Sequence, residues 1–267
     1  VNIEPPGRVR LAIGADGLAE LTMIRADARN GIDPDMVEAL AHAVELLLEA
    51  DGVRALLVTA EGPAFTVGGD LRHFTAHLDD LPGQLDTMID GYHRRVLARL
   101  AEAPFPVLAA ARGAVAGGGL GLLWTADEVI AADDLRIATG FVHLALSGDG
   151  GSSWHLPRLV GLARARQLII GGRVLDAATA LDWGLVGRVV PAAELADAAQ
   201  TRARELAAGP TYAYARMKRL LLDSSGNSYR EQLLAERDAI VACGATEDAR
   251  DGVRAFVERR APDFQGR

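Results

Sequence analysis

A chain of 267 residues, 49% of them apolar, is long enough for one large domain or two small ones and too hydrophobic to be disordered. Its net charge of −8, with no basic cluster, excludes a nucleic-acid-binding surface but still allows a few local arginines to meet a phosphate. One cysteine (Cys243), no uninterrupted apolar run of about 18 residues and no basic-then-apolar pattern in Val1 to Arg10 argue against a disulfide framework, a membrane span and a secretory signal, so a cytoplasmic protein is expected.

In chain order, Val9 to Ile13 and Leu18 to Ile24 read as two strands joined by the turn at residues 14–17. Asp33-Pro34 opens a helix, Asp as N-cap and Pro at the first helical position. Val37, Leu40, Ala41, Val44, Leu47 and Leu48 then mark one helical face. Val53 to Thr59, Val107 to Ala111 and Glu128 to Ala132 are apolar runs of strand length. Strands alternating with helices predict crossover units and a largely parallel sheet, an α/β fold. Phe74 to Tyr92 carries no pattern that fixes its conformation. Beyond Pro191 the chain turns helical: Ala192 to Ala208, Pro210 to Leu222, Ser228 to Cys243 and Thr246 to Arg259, with Ser228 and Glu231 spaced as a capping box. The chain therefore divides into a core, 1–191, and a helical region, 192–267, that covers the core or meets a neighbouring subunit.

Two of the apolar runs feed into glycine-rich turns, Pro63 to Asp70 and Gly113 to Gly119. Glycine lets the backbone approach a ligand closely, and a helix start presents N–H groups that lack partners. Two such turns aimed at one oxygen would stabilise negative charge there; alternatively, each relieves crowding at a strand-to-helix connection. Asp70 reads as the N-cap of a helix beginning at Leu71. No Gly-x-Gly-x-x-Gly opens the first crossover unit and no Gly-x-Ser-x-Gly occurs. His73 and His77 have helical ligand spacing but no acidic or cysteine partners, so no metal site is expected.

These residues carry a resemblance. Ala64 to Leu71 resembles the first oxyanion-loop motif of the enoyl-CoA hydratase/isomerase (crotonase) superfamily, and Pro106 to Gly119 resembles the second. Gly148 to Trp154 with Leu156 to Gly161, Ala177 to Val190 and Phe256 to Phe264 are similar to its later motifs, in the right order. The resemblance implies a spiral of β-β-α turns followed by a helical region that builds homotrimers or hexamers (dimers of trimers). It implies an acyl-CoA thioester as the ligand, coenzyme A entering as part of the substrate and no separate cofactor. By position, the N–H groups of Gly69 and Gly118 would hold the thioester oxygen, with Ala64, Phe65 and Val67 of the first motif as substrate contacts. Arg29, Arg72, Phe264 and Arg267 would serve the nucleotide end, the last two from a neighbouring subunit.

The hydratases of this superfamily use two glutamates, whose matching positions here hold Gly121 and Phe141. Neither transfers a proton, so two-glutamate hydration is not expected. Asp149 stands where some isomerases keep a proton-shuttling aspartate and an aryl-CoA dehalogenase branch keeps a nucleophile; without the resemblance, it reads as a helix cap or Asx turn. The expected reaction is a 1,3-proton shift through Asp149, with Phe141 and Trp154 lining the acyl pocket. The alternatives are a covalent Asp149 route and a non-catalytic acyl-CoA binder. The covalent branch also needs a histidine before the second oxyanion loop. His93 lies one residue out of register with that motif and is assigned a helical surface role.

Overall fold

The computed structural model describes residues 2–3 and 7–266; Arg267 lies outside them, as does part of the N-terminal segment. The chain begins as an antiparallel meander of β1 (Asn2–Ile3), β2 (Val9–Ile13) and β3 (Leu18–Met23). Helix α1 (Pro34–Glu49) then crosses to β4 (Ala55–Ala60), which runs parallel to β3. Asp33 caps α1 by accepting the Met36 N–H at 2.8 Å, with Pro34 in the first turn, as the sequence predicts.

From β4 onward each long strand is followed by a short one: β4 by β5 (Ala64–Thr66), β6 (Val107–Ala111) by β7 (Ala114–Ala116), and β8 (Glu128–Ala132) by β9 (Arg136–Ala138). Helices close each step. After β5 come α2 (Leu71–Ala76), α3 (Leu81–Gly91), a π-helical turn (Tyr92–Leu97) and α4 (Ala98–Ala101). After β7 comes a 3-10 turn (Gly117–Gly119) running into α5 (Leu120–Thr125), and after β9 another (Phe141–Leu144) before α6 (Ser152–Ile169). The chain ends through β10 (Leu175–Asp176), α7 (Ala177–Asp182), β11 (Arg188–Val190), α8 (Leu195–Ala207), α9 (Thr211–Asp223), α10 (Tyr229–Gly244) and α11 (Glu247–Glu258). This is the repeated β-β-α core that the resemblance implies, with helices C-terminal to it.

The long strands form a seven-stranded sheet in the order β1-β2-β3-β4-β6-β8-β11, parallel from β3 onward. The short ones form a second sheet, β10-β9-β7-β5. Successive residues of a strand point to opposite faces. Leu56 and Val58 therefore pack towards α1, whereas Ala55 and Leu57 pack under Leu195, Ala199 and Leu206 of α8. Both faces of the sheet are covered, which is why its strands read as unbroken apolar runs rather than alternating ones. The two sheets meet where the glycine turns are.

Candidate active site

The first glycine turn leaves β5 and is held from below. Thr66 Oγ1 donates to the Asn30 carbonyl at 2.7 Å and accepts the Gly68 N–H at 3.2 Å. Ile32 bridges its far side, donating to the Gly68 carbonyl and accepting the Asp70 N–H. Gly68 takes a left-handed φ of 78°, and a Cβ there would stand 2.6 Å from the Ala116 carbonyl oxygen, so the turn tolerates only glycine. The outcome is a Gly69 N–H with no acceptor among the described residues. Asp70 caps α2 through the Arg72 N–H at 3.0 Å, as expected. Burial pushes its carboxyl up, but the Arg72 N–H and the Arg25 guanidinium outweigh this and hold it below the usual range.

The second turn lies against the first, with Gly117 also at positive φ (52°) and Gly118 the second residue of the 3-10 turn, where the N–H points away from the helix. The buried Tyr92 hydroxyl donates to the Gly118 carbonyl at 3.2 Å and fixes its rotation. Burial, and then the nearby Asp149 charge, push this phenol well above its ordinary range, so it stays a donor.

Asp149 sits directly over Gly118: a Cβ on Gly118 would stand 2.8 Å from Asp149 Oδ1 and 3.0 Å from Oδ2. Oδ1 is buried and makes no hydrogen bond. Burial pushes the carboxyl up, and the residue's own N–H pulls it down without cancelling the rise. Among buried acceptors an unpartnered carboxylate oxygen is an expensive exception, of the kind a proton acceptor needs. The helix-cap reading fails, because no side chain caps α6 at its start.

These groups line one cavity of about 280 Å³. Gly69, Gly117, Gly118 and Asp149 form one wall; Ile32, Val67, Leu71, Phe74, Leu85, Met88, Ile89, Phe141, Leu144 and Leu146 supply an apolar lining. Gly121 is packed so tightly that a Cβ would stand 2.5 Å from Leu97 Cδ1 and 3.0 Å from the Gly150 carbonyl oxygen. No glutamate fits there without moving the Asp149 turn.

Three expected contacts fall elsewhere: Ala64, Phe65 and Trp154. Ala64 and Phe65 are buried beneath the turn, Phe65 fully so in the main core, because β5 is covered on both sides; only Val67 of that trio lines the cavity. Trp154 is 38% exposed on the outside of α6, its ring under the Arg158 guanidinium at 4.0 Å, and takes no part in the acyl pocket. Arg29 and Arg72 are exposed near the first turn, Arg29 in a left-handed conformation. Phe264 packs on Gly252 of its own α11, and its carbonyl accepts from Arg54 Nη2 at 2.9 Å. His73 stacks on His77 and bonds Gln84, and among the described residues no metal-binding cluster exists.

The surface role assigned to His93 is wrong. Its Nε2 accepts the Gly150 N–H at 3.0 Å, immediately beside Asp149. The reason is the π-helical turn, which carries more residues per turn than an α-helix and shifts the register of what it presents. Tyr92 was missed and His93 misassigned because a π turn leaves no mark in a 3.6-residue periodicity.

The enoyl-CoA hydratase/isomerase family model matches residues 14–267. The chain is 35% identical over 251 residues to the 1,2-epoxyphenylacetyl-CoA isomerase of Escherichia coli K12, covering 94% of this chain and 96% of that one. It is 31% identical over 252 residues to the trans-2-decenoyl-[acyl-carrier-protein] isomerase of Streptococcus mutans, with 94% and 96% covered. The crystal structure of an enoyl-CoA hydratase from Polaromonas sp. JS666 superposes with a TM-score of 0.90 at 30% identity, covering 97% of this chain and all of that one.

Proposed function

This chain belongs to the enoyl-CoA hydratase/isomerase family, and within it we propose a double-bond isomerase acting on an enoyl-CoA thioester. The observation that carries the proposal is Asp149 Oδ1, buried and unpartnered over Gly118, in a cavity whose two hydratase positions hold Gly121 and Phe141. The S. mutans relative, named an isomerase of trans-2-decenoyl-[acyl-carrier-protein], supports that reading, whereas the E. coli relative is named an isomerase of an epoxide-bearing acyl-CoA.

In this reading the thioester oxygen accepts from the Gly69 and Gly118 N–H groups. Asp149 takes a proton from C2 of a 3-enoyl chain, and the electron pair of that C–H bond passes into the thioester as a dienolate. The two N–H groups stabilise the charge on oxygen, where one such donor is worth roughly 3–4 kcal/mol. The same carboxyl returns the proton to C4, the C=O bond reforms and the double bond lies between C2 and C3. Atoms and electrons are conserved, and one carboxyl suffices. Phe141 supplies an apolar face where a hydratase would hold water. The exposed Arg29 and Arg72 stand beside the first turn, where the nucleotide phosphates would run.

His93 favours a second reading, in which Asp149 forms an ester and a histidine activates water to cleave it. The geometry counts against it. A backbone N–H only donates, so the Nε2 lone pair is engaged by Gly150 and the ring proton sits on Nδ1. The test is turnover of a 3-enoyl-CoA by the parent protein and by Asp149→Asn. General acid–base catalysis is worth about 10²- to 10⁴-fold, and a loss of that size is expected; undiminished migration in the variant would end the proposal.

A further inference from the structure

We propose that His93 is a positioning residue, the acceptor that holds the Asp149 turn in its working shape by way of the Gly150 amide. This rests on the reading of Asp149 as the proton-transferring group. Asp149 Oδ1 makes no hydrogen bond, so the direction of the carboxyl depends on its backbone. That backbone is unusual: Gly150 and Gly151 both take left-handed φ values, 59° and 73°. A Cβ on Gly150 would stand 2.7 Å from the Gly118 carbonyl oxygen, so the turn is pressed directly onto the second glycine turn. His93 reaches this contact, its Nε2 taking the Gly150 N–H at 3.0 Å.

The neighbouring residue completes the arrangement. Tyr92 donates to the Gly118 carbonyl at 3.2 Å. Two consecutive residues of one π-helical turn thus tie down the two halves of the site, Tyr92 the turn that binds oxygen and His93 the turn that carries the carboxyl. Short π-helical segments recur at functional sites, and here the segment supplies one donor and one acceptor to two adjacent backbones. A turn that swings by about an ångström takes the carboxyl out of line with C2, a displacement that can cost on the order of a hundredfold in rate.

The test compares three variants. His93→Gln keeps an acceptor oxygen near the Nε2 position; His93→Phe fills the space without one; His93→Ala removes the acceptor without adding bulk. Hydrogen exchange of the Gly150 amide, followed by NMR, reads the contact itself. Exchange is expected to quicken at least about tenfold in the Phe and Ala variants and to stay near parental in Gln, as the loss of one protecting bond requires. With a 3-enoyl-CoA, kcat is expected to fall roughly tenfold to a hundredfold in Phe and Ala with KM little changed, and to be largely restored in Gln. Unaltered Gly150 exchange in Phe and Ala overturns the proposal, as does an equal loss of kcat in Gln and Phe. Should Asp149→Asn keep parental turnover, the isomerase reading fails, while the amide measurement still judges the His93 contact.

Discussion

The Asp149 carboxyl is the residue on which the chemistry turns, and its environment gives it a testable pH dependence. Burial raises its pKa in the folded chain above the ordinary aspartate value. Between those two values the folded state binds the proton and the unfolded state does not, so the contribution of Asp149 to stability falls as pH rises through this window. Catalysis runs the other way, because only the ionised carboxyl accepts a proton. The kcat/KM profile for a 3-enoyl-CoA should therefore lose its acid limb at a pH above the ordinary aspartate range; an acid limb at the ordinary value would contradict the burial argument. Asp149→Asn should unfold at the same or a higher temperature than the parent, as expected where a function-bearing group is held against its preferred charge state. Asp149, Gly69, Gly118 and Phe141 were all legible in the sequence, because motif position fixes them. Phe65 and Trp154 were misplaced for a different reason. Membership of a motif does not say which side of a short strand or helix an aromatic residue faces.

At the scale of elements, the glycine turns are fixed by a charged network around the first of them. Arg25 pairs with Asp33 at 3.1 Å and Asp70 at 2.8 Å, all three largely buried, linking the cap of α1 to the cap of α2. The long elements were readable: β2, β3, β4, β6 and β8 as apolar runs, α1 from its apolar stripe and α10 from its capping box, which forms as predicted. The strands β5, β7, β9 and β10 were not, since two or three residues carry no period, and β5 and β7 also lie within the glycine-rich stretches that argue for turns. The C-terminal helices behave as two groups. Helix α8 covers one face of the sheet, whereas Leu221 of α9, Tyr229 and Ile240 of α10, and Val253 and Phe256 of α11 are exposed. Exposed apolar side chains on neighbouring helices are what an association surface would need, and the resemblance to the family implies three or six copies. Sedimentation should give three or six copies of the chain, and a stable monomer would contradict that assignment.

For the whole molecule, the spiral brings three separate stretches of sequence to one point. The first turn follows β5, the second follows β7, and the Asp149 turn follows β9, so each repeat of the core delivers one part of the site. That logic explains why the fold and the main residues were visible from motif order alone. The helices between β5 and β6, which supply Leu85, Met88, Ile89, Tyr92 and His93, follow no such repeat and had to be seen. They close the cavity and hold its two working turns. The claim at the centre is that one carboxyl moves a proton and no water enters the product. Turnover of a 3-enoyl-CoA in H₂¹⁸O, followed by mass spectrometry of both the product and the peptide bearing Asp149, tests it most directly. The expected result is a 2-enoyl-CoA of unchanged mass and an unlabelled Asp149; oxygen-18 in the product would mean hydration, and oxygen-18 in Asp149 would mean an ester intermediate, and either would contradict the account.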